Sequence, residues 1–221
     1  MRTPLSGRLN AWAFSTNTVR LVIGTLALAM LGGGAMAKPK SHPPTASLSV
    51  ARTGSAPPLA AWVRFCRQWP AECAVDPSEP AKITLTPEAW QTIVRVNRQV
   101  NAAIKPMTDM EHWGVEDRWD FAEDGYGDCE DYQLVKRRRL VEAGFPRRAL
   151  RMTVVIDEDG AGHAVMMVRT DRGDFILDNK RNAVLSWQQT GYSYVKREGD
   201  AGSAWASLGG ASASLVATAG R

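Results

Sequence analysis

A change of period near residue 150 limits the fold more than any other feature of this chain. Leu150, Met152, Val154 and Ile156 alternate with residues that point the other way, the two-residue repeat of a strand. Asp157-Glu158-Asp159-Gly160 is a turn sequence, residues 163–169 (HAVMMVR) return, and Thr170-Asp171-Arg172-Gly173 reverses the chain into residues 174–178. Shorter strands are expected near 184–187 and 192–196. Before residue 150 the repeat is helical. Residues 59–67 read as a short helix ended by Trp69-Pro70. Thr86-Pro87 offers a capping hydroxyl and a proline at the first helical position. Trp90, Ile93, Val94, Val100 and Ile104 then fall mainly on one face of a helix to about residue 105. A further helix starts at Asp128 and ends at Gly144, with residues 106–127 as a loop before it. Helices in front and sequential, tightly turned strands behind predict an α+β fold with an antiparallel sheet.

The ends of the chain differ from this middle. Residues 1–20 hold Arg2, Arg8 and Arg20 and no acid; residues 21–31 are an apolar run, and Ala35-Met36-Ala37 follows three glycines. That order predicts a secretory signal at 1–37, and the run is too short and too broken for a spanning helix. Residues 38–58 are rich in Pro, Ser, Thr and Ala and predict a flexible linker. Of the 23 residues at 199–221, 16 are Gly, Ala or Ser, which predicts a disordered tail. The folded domain is expected at 59–198. The 27 Lys and Arg outnumber the 23 Asp and Glu, but dropping the three arginines of the signal leaves 24 against 23. Such a balance gives no footprint for nucleic acid. The run Lys136-Arg137-Arg138-Arg139 reads as a solvated helix face near a favourable C-terminal end.

Three Cys and three His remain to carry chemistry. Cys66 and Cys73 flank a turn-like segment and, in an export compartment, favour a disulfide over half a zinc site, since no second pair stands at finger spacing. Cys129 is left over on the first turn of a helix, where free amides and the helix dipole favour a thiolate. A buried inert thiol is the plain alternative. His163 begins a strand between Gly162 and Ala164. If strands 163–169 and 174–178 join through a two-residue turn, His163 and Asp178 are directly opposed or diagonal neighbours on one face. Cys129 as nucleophile, His163 as base and Asp178 as orienting acid then form a candidate triad.

Gly127-Asp128-Cys129-Glu130-Asp131-Tyr132, Gly162-His163-Ala164-Val165 and Leu177-Asp178-Asn179 together resemble the bacterial transglutaminase-like cysteine proteinases of the LapG type. The resemblance runs from about residue 59 to 197 and includes Cys66, Trp69-Pro70, Cys73 and Asp117-x-Trp119. It implies a papain/transglutaminase-like core with the nucleophile on a helix N-terminus packed against the sheet. It also implies a calcium-dependent periplasmic endopeptidase that clips a large surface adhesin in biofilm control and is sequestered by an inner-membrane receptor for cyclic di-GMP. A transamidase passing the acyl group to an amine would use the same triad, and a binding protein could keep the fold without the chemistry.

The acids around Cys129 raise a separate question. Carboxylates so close disfavour a thiolate. Capping accounts for Asp128 and Asp131 and leaves Glu130 over. Oxygen ligands crowded at a loop-to-helix junction suit calcium, so Asp128, Glu130 and Asp131 are the expected ligand set.

Overall fold

A computed structural model describes residues 42–200 and 204–209; the expected signal at 1–37 lies outside them. The chain runs β1 (Gly54–Ala56), α1 (Ala60–Gln68), α2 (Pro70–Cys73), α3 (Pro87–Ala103), β2 (Lys105–Pro106), α4 (Asp109–Trp113), β3 (Tyr126–Gly127) and α5 (Cys129–Glu142). Strands β4 (Leu150–Ile156), β5 (Gly162–Thr170), β6 (Gly173–Leu177), β7 (Leu185–Ser186), β8 (Ser193–Glu198) and β9 (Trp205–Ser207) follow. The expected helices and strands are therefore present. Helix α3 starts as its sequence requires, with the Thr86 hydroxyl accepting the Ala89 amide at 3.1 Å and Pro87 opening the first turn.

Seven strands form one sheet in the order β1-β9-β8-β4-β5-β6-β7, every neighbouring pair antiparallel. One face carries Leu150, Met152, Val154, Met166, Val168 and Phe175 against Trp62 and Phe65 of α1, Trp90 and Ile93 of α3, and Leu134 and Leu140 of α5. These residues make the main core and hold α5 across the sheet. No helix among the described residues is long and apolar enough to cross a membrane.

The other face draws in segments that lie outside the expected domain limits of 59–198. Val155, Val165, Met167 and Ile176 would lie bare there, and Val50 and Leu208 cover them as a second cluster. Strands β1 and β9 pair with each other, and β9 with β8. Trp205 is buried edge-on against Trp62, with ring centroids 5.8 Å apart. The described part of the segment 38–58 is thus no free linker, nor is 204–209 a free tail. Average composition concealed them: one valine, one tryptophan and one leucine among small polar residues suffice when an apolar sheet face awaits them.

The basic run also departs from expectation, because only Arg139 is exposed. Lys136 and Arg137 are buried, and Arg138 lies over the Phe121 ring while binding Glu72 at 3.1 Å. Helix α5 packs on α3 and the sheet, so Lys136 and Arg137 face protein although they carry charge.

Candidate active site

Cys129 opens α5, and the loop before it is folded tightly. At Gly127 a Cβ would stand 2.7 Å from Asp131 Oδ2 and 2.9 Å from its Cβ, so only glycine fits. Asp128 takes the N-cap position. Asp131, at the third helical position, binds the Asp128 amide through Oδ2 at 3.4 Å and the Asp120 amide through Oδ1 at 2.7 Å. This carboxylate ties the 118–128 loop to the helix start.

His163 lies at the beginning of β5 and Asp178 just beyond the end of β6. Thr170 pairs with Gly173 and Met166 with Leu177, so the turn has two residues and the register makes His163 and Asp178 diagonal rather than opposed. The two side chains nevertheless meet: His163 Nε2 and Asp178 Oδ1 are 2.9 Å apart, and both are buried. Asp178 is held further by the Lys180 amide on Oδ1 at 3.0 Å, by the Tyr192 hydroxyl on Oδ2 at 2.6 Å, and through its carbonyl by Asn101 at 2.9 Å. Burial pushes the Asp178 carboxyl up, but His163, Tyr192 and the Lys180 amide outweigh it and hold the group below its ordinary range. With Nε2 engaged by this anion, the imidazole offers Nδ1 to a second partner.

Cys129 and His163 line one cavity of about 250 Å3, with Met107, Glu111 and Gly162 in its walls. Asp157 and Lys180 form an ion pair at its rim. The Cys129 thiol donates to Glu130 Oε2 at 3.2 Å. Burial pushes this thiol well above its ordinary value, and the Glu130 and Asp128 charges add to that. Desolvation and like charge thus oppose the activation expected from the helix end.

The carboxylates regroup relative to the expected ligand set. Among the described residues, Asp109, Asp128 and Glu130 bring one oxygen each within 4.8 Å of one another. Asp131 is not in that group; its two oxygens accept the amides of Asp120 and Asp128. Asp109 sits at the first position of α4, inside the stretch expected to be loop. The signal for α4 was present as Thr108-x-x-Glu111, a capping box whose two halves both form, with Gly114 ending the helix at φ 68°. Asp128 Oδ1 and Glu130 Oε1 are buried without a hydrogen-bond partner. Burial pushes the Asp109 carboxyl up to about 6, although the Arg118 amide opposes it; burial also raises Asp128 and Glu130. Orphaned, desolvated oxygens from three acids are a donor set that fits a hard cation.

Cys66 and Cys73 are joined, their Cα atoms 5.6 Å apart, and staple α1 to α2. Of the other histidines, His112 binds Asp124 at 2.7 Å and stacks on Trp113, outside the cavity, and His42 lies exposed in the N-terminal segment.

No curated protein matches the chain. Among solved structures, calcium-bound LapG of Legionella pneumophila is 25% identical, covering 61% of this chain and 76% of that chain with a TM-score of 0.47. A second LapG structure from the same organism is 26% identical over 62% and 77%, and an EGTA-treated form 26% over 57% and 69%, both with a TM-score of 0.47. The family model of the bacterial transglutaminase-like cysteine proteinases matches residues 51–213, so the chain belongs to that family of cysteine peptidases.

Proposed function

We propose that this chain is an exported endopeptidase in which Cys129 is the nucleophile, His163 the base and Asp178 the orienting acid. The observation that carries the reading is the buried His163–Asp178 hydrogen bond at 2.9 Å in the wall of the cavity that Cys129 opens into. His163 Nδ1 takes the thiol proton, and Cys129 Sγ forms a bond to the carbonyl carbon of the scissile peptide. The tetrahedral adduct collapses, the C–N bond breaks, and His163 returns its proton to the leaving amine. Water then attacks the thioester with His163 again as base, releasing the acid and the thiol. Asp178 keeps the imidazole in one tautomer and orientation throughout.

Asp109, Asp128 and Glu130 would hold calcium. The support is the donor chemistry: three desolvated carboxylates with two orphaned oxygens immediately beside the nucleophile. A bound divalent ion supplies the positive charge that this cluster lacks. Glu130 both accepts the thiol's hydrogen bond and is the largest charge opposing a thiolate, so neutralising it favours the reactive form of Cys129.

The motif resemblance and the signal-like residues 1–37 support a periplasmic enzyme acting on a large surface adhesin and controlled by an inner-membrane cyclic-di-GMP receptor. Mass spectrometry of candidate adhesin N-terminal segments, incubated with the mature chain and with its Cys129→Ala variant, tests this. Cleavage by the first and not the second is expected. A mass-shifted cross-link would make the chain a transamidase, and unchanged substrates across all candidates would remove the adhesin reading.

A further inference from the structure

Tyr192 stands behind the proposed triad. It follows Gly191, whose φ of 78° turns the chain, and precedes β8. Its amide binds the Thr190 hydroxyl at 3.2 Å, and that hydroxyl is held in turn by the Trp187 carbonyl at 2.9 Å and lies 3.1 Å from the Tyr194 hydroxyl. The backbone on which the ring stands is therefore fixed. The ring is buried in the outer-face cluster and meets His163 edge-on, with centroids 5.9 Å apart at 84°. Its hydroxyl donates to Asp178 Oδ2 at 2.6 Å.

The two oxygens of Asp178 are thus divided. Oδ1 serves His163 and the Lys180 amide, whereas the bond to Oδ2 comes from Tyr192. A carboxylate on a diagonal register can rotate about χ2, and rotation would carry Oδ1 away from Nε2. The bond on the far oxygen blocks that rotation, while the ring edge restrains the imidazole from the side. We infer that Tyr192 is a positioning residue of the triad, acting through Asp178 to lock the orientation and tautomer of His163. This rests on the proposed triad and adds a fourth member to it. Burial, and then the Asp178 anion, hold the phenol above its ordinary value, so it remains a donor across the working pH range.

The prediction concerns a rotation, so the test reads orientation directly. In the mature chain the Nε2 proton of His163 should give a far-downfield, slowly exchanging NMR signal, assigned by its loss in Asp178→Ala. Tyr192→Phe keeps the ring and removes the donor. It is expected to abolish or broaden that signal and to slow alkylation of Cys129 by iodoacetamide at neutral pH about tenfold, the lower end of the range for removing an outer partner that orients a metal-bound histidine. In an Asp178→Ala background, Tyr192→Phe should cause no further slowing, since the path runs through that carboxylate. A retained signal with wild-type alkylation in Tyr192→Phe overturns the inference, as does full additivity with Asp178→Ala. If His163→Ala also leaves alkylation unchanged, it is the triad that fails. Sensitivity to His163→Ala without sensitivity to Tyr192→Phe removes Tyr192 alone.

Discussion

Calcium should stabilise this protein measurably, and Asp109 should be needed for it. Asp109, Asp128 and Glu130 place three carboxylate oxygens within 4.8 Å of one another, the first and last buried and Asp128 half-buried, which is unfavourable while the charges stand alone. A ligand that binds only the folded state stabilises it by about 2.7 kcal/mol at a hundred times its Kd. In a domain of this size each kcal/mol raises Tm by roughly 2–4 °C. Calcium should therefore raise Tm by about 5–11 °C over chelated protein. Differential scanning calorimetry in EGTA and then in excess calcium measures the shift. Asp109→Asn should remove most of it, because it takes away one donor and one charge. Asp131→Asn should lower Tm equally in both buffers, because Asp131 binds amides of the loop and helix start. Equal Tm values with and without calcium would refute the site. Loss of the shift in Asp131→Asn but not in Asp109→Asn would refute the ligand set and restore the one expected from sequence.

Cys129→Ala and His163→Ala should each lower peptidase activity by at least about a thousandfold, since each removes a reacting group. Asp178→Asn should also be strongly damaging but milder than those two, because it disturbs the orientation and tautomer of His163 and leaves both reacting groups in place; steady-state assays on the identified substrate check both. Cys66 and Cys73 close a loop with a sequence separation of only 7, so opening it should cost about 2 kcal/mol in the chain-entropy estimate, read as a fall in urea midpoint for Cys66→Ala/Cys73→Ala.

How much of this was legible in the sequence follows from the range of the forces involved. The period change at Leu150, the Thr86-Pro87 cap and the two-residue turn at Asp171-Arg172 are local signals, and the elements they predict are present. Cys129, His163 and Asp178 lie in short, chemically distinctive strings, which is why they stood out before any geometry was known. What stayed hidden depends on partners distant in sequence. Val50 and Trp205 look like linker and tail until β1 and β9 pair across the chain. Asp109 joins Asp128 from 19 positions away, and its amide donates to Asp128 Oδ2 at 3.4 Å. Tyr192 is 14 residues from Asp178, and nothing local distinguishes it from any strand tyrosine. Arg137 appeared solvated because charge is a good guide to exposure only when no partner waits inside, and Glu198 waits for it there.

Arg137 gives the last prediction, because its partner holds the helix that carries Cys129. Glu198, at the end of β8, is buried and receives four hydrogen bonds: two from Arg137 Nη1 at 2.9 and 2.8 Å, one from Trp62 Nε1 at 2.9 Å and one from the Met152 amide at 2.9 Å. One carboxylate thus ties α5, α1 and β4 to β8. Arg137 Nε and Nη2 have no partner among the described residues, so nothing else compensates that charge. Glu198→Gln keeps the shape and removes the anion, leaving a buried guanidinium opposite a neutral amide. Breaking a buried pair from one side costs about 3–5 kcal/mol, whereas replacing both partners by apolar groups is often neutral. The single variant should therefore melt about 6–20 °C lower, and Arg137→Met/Glu198→Leu should recover only part of that loss, since Trp62 Nε1 and the Met152 amide then lose their acceptor. The pH dependence follows in sign. Burial raises the Glu198 carboxyl, but Arg137, the Met152 amide and Arg151 outweigh it and hold the group below its usual value. Its contribution is then fully present above the ordinary glutamate range and fades as pH falls through the depressed value. Glu198→Gln should lose that acid-side slope along with the stability. A variant as stable as wild type, or one that keeps the same slope in acid, would show that the four hydrogen bonds do not hold α5 in place.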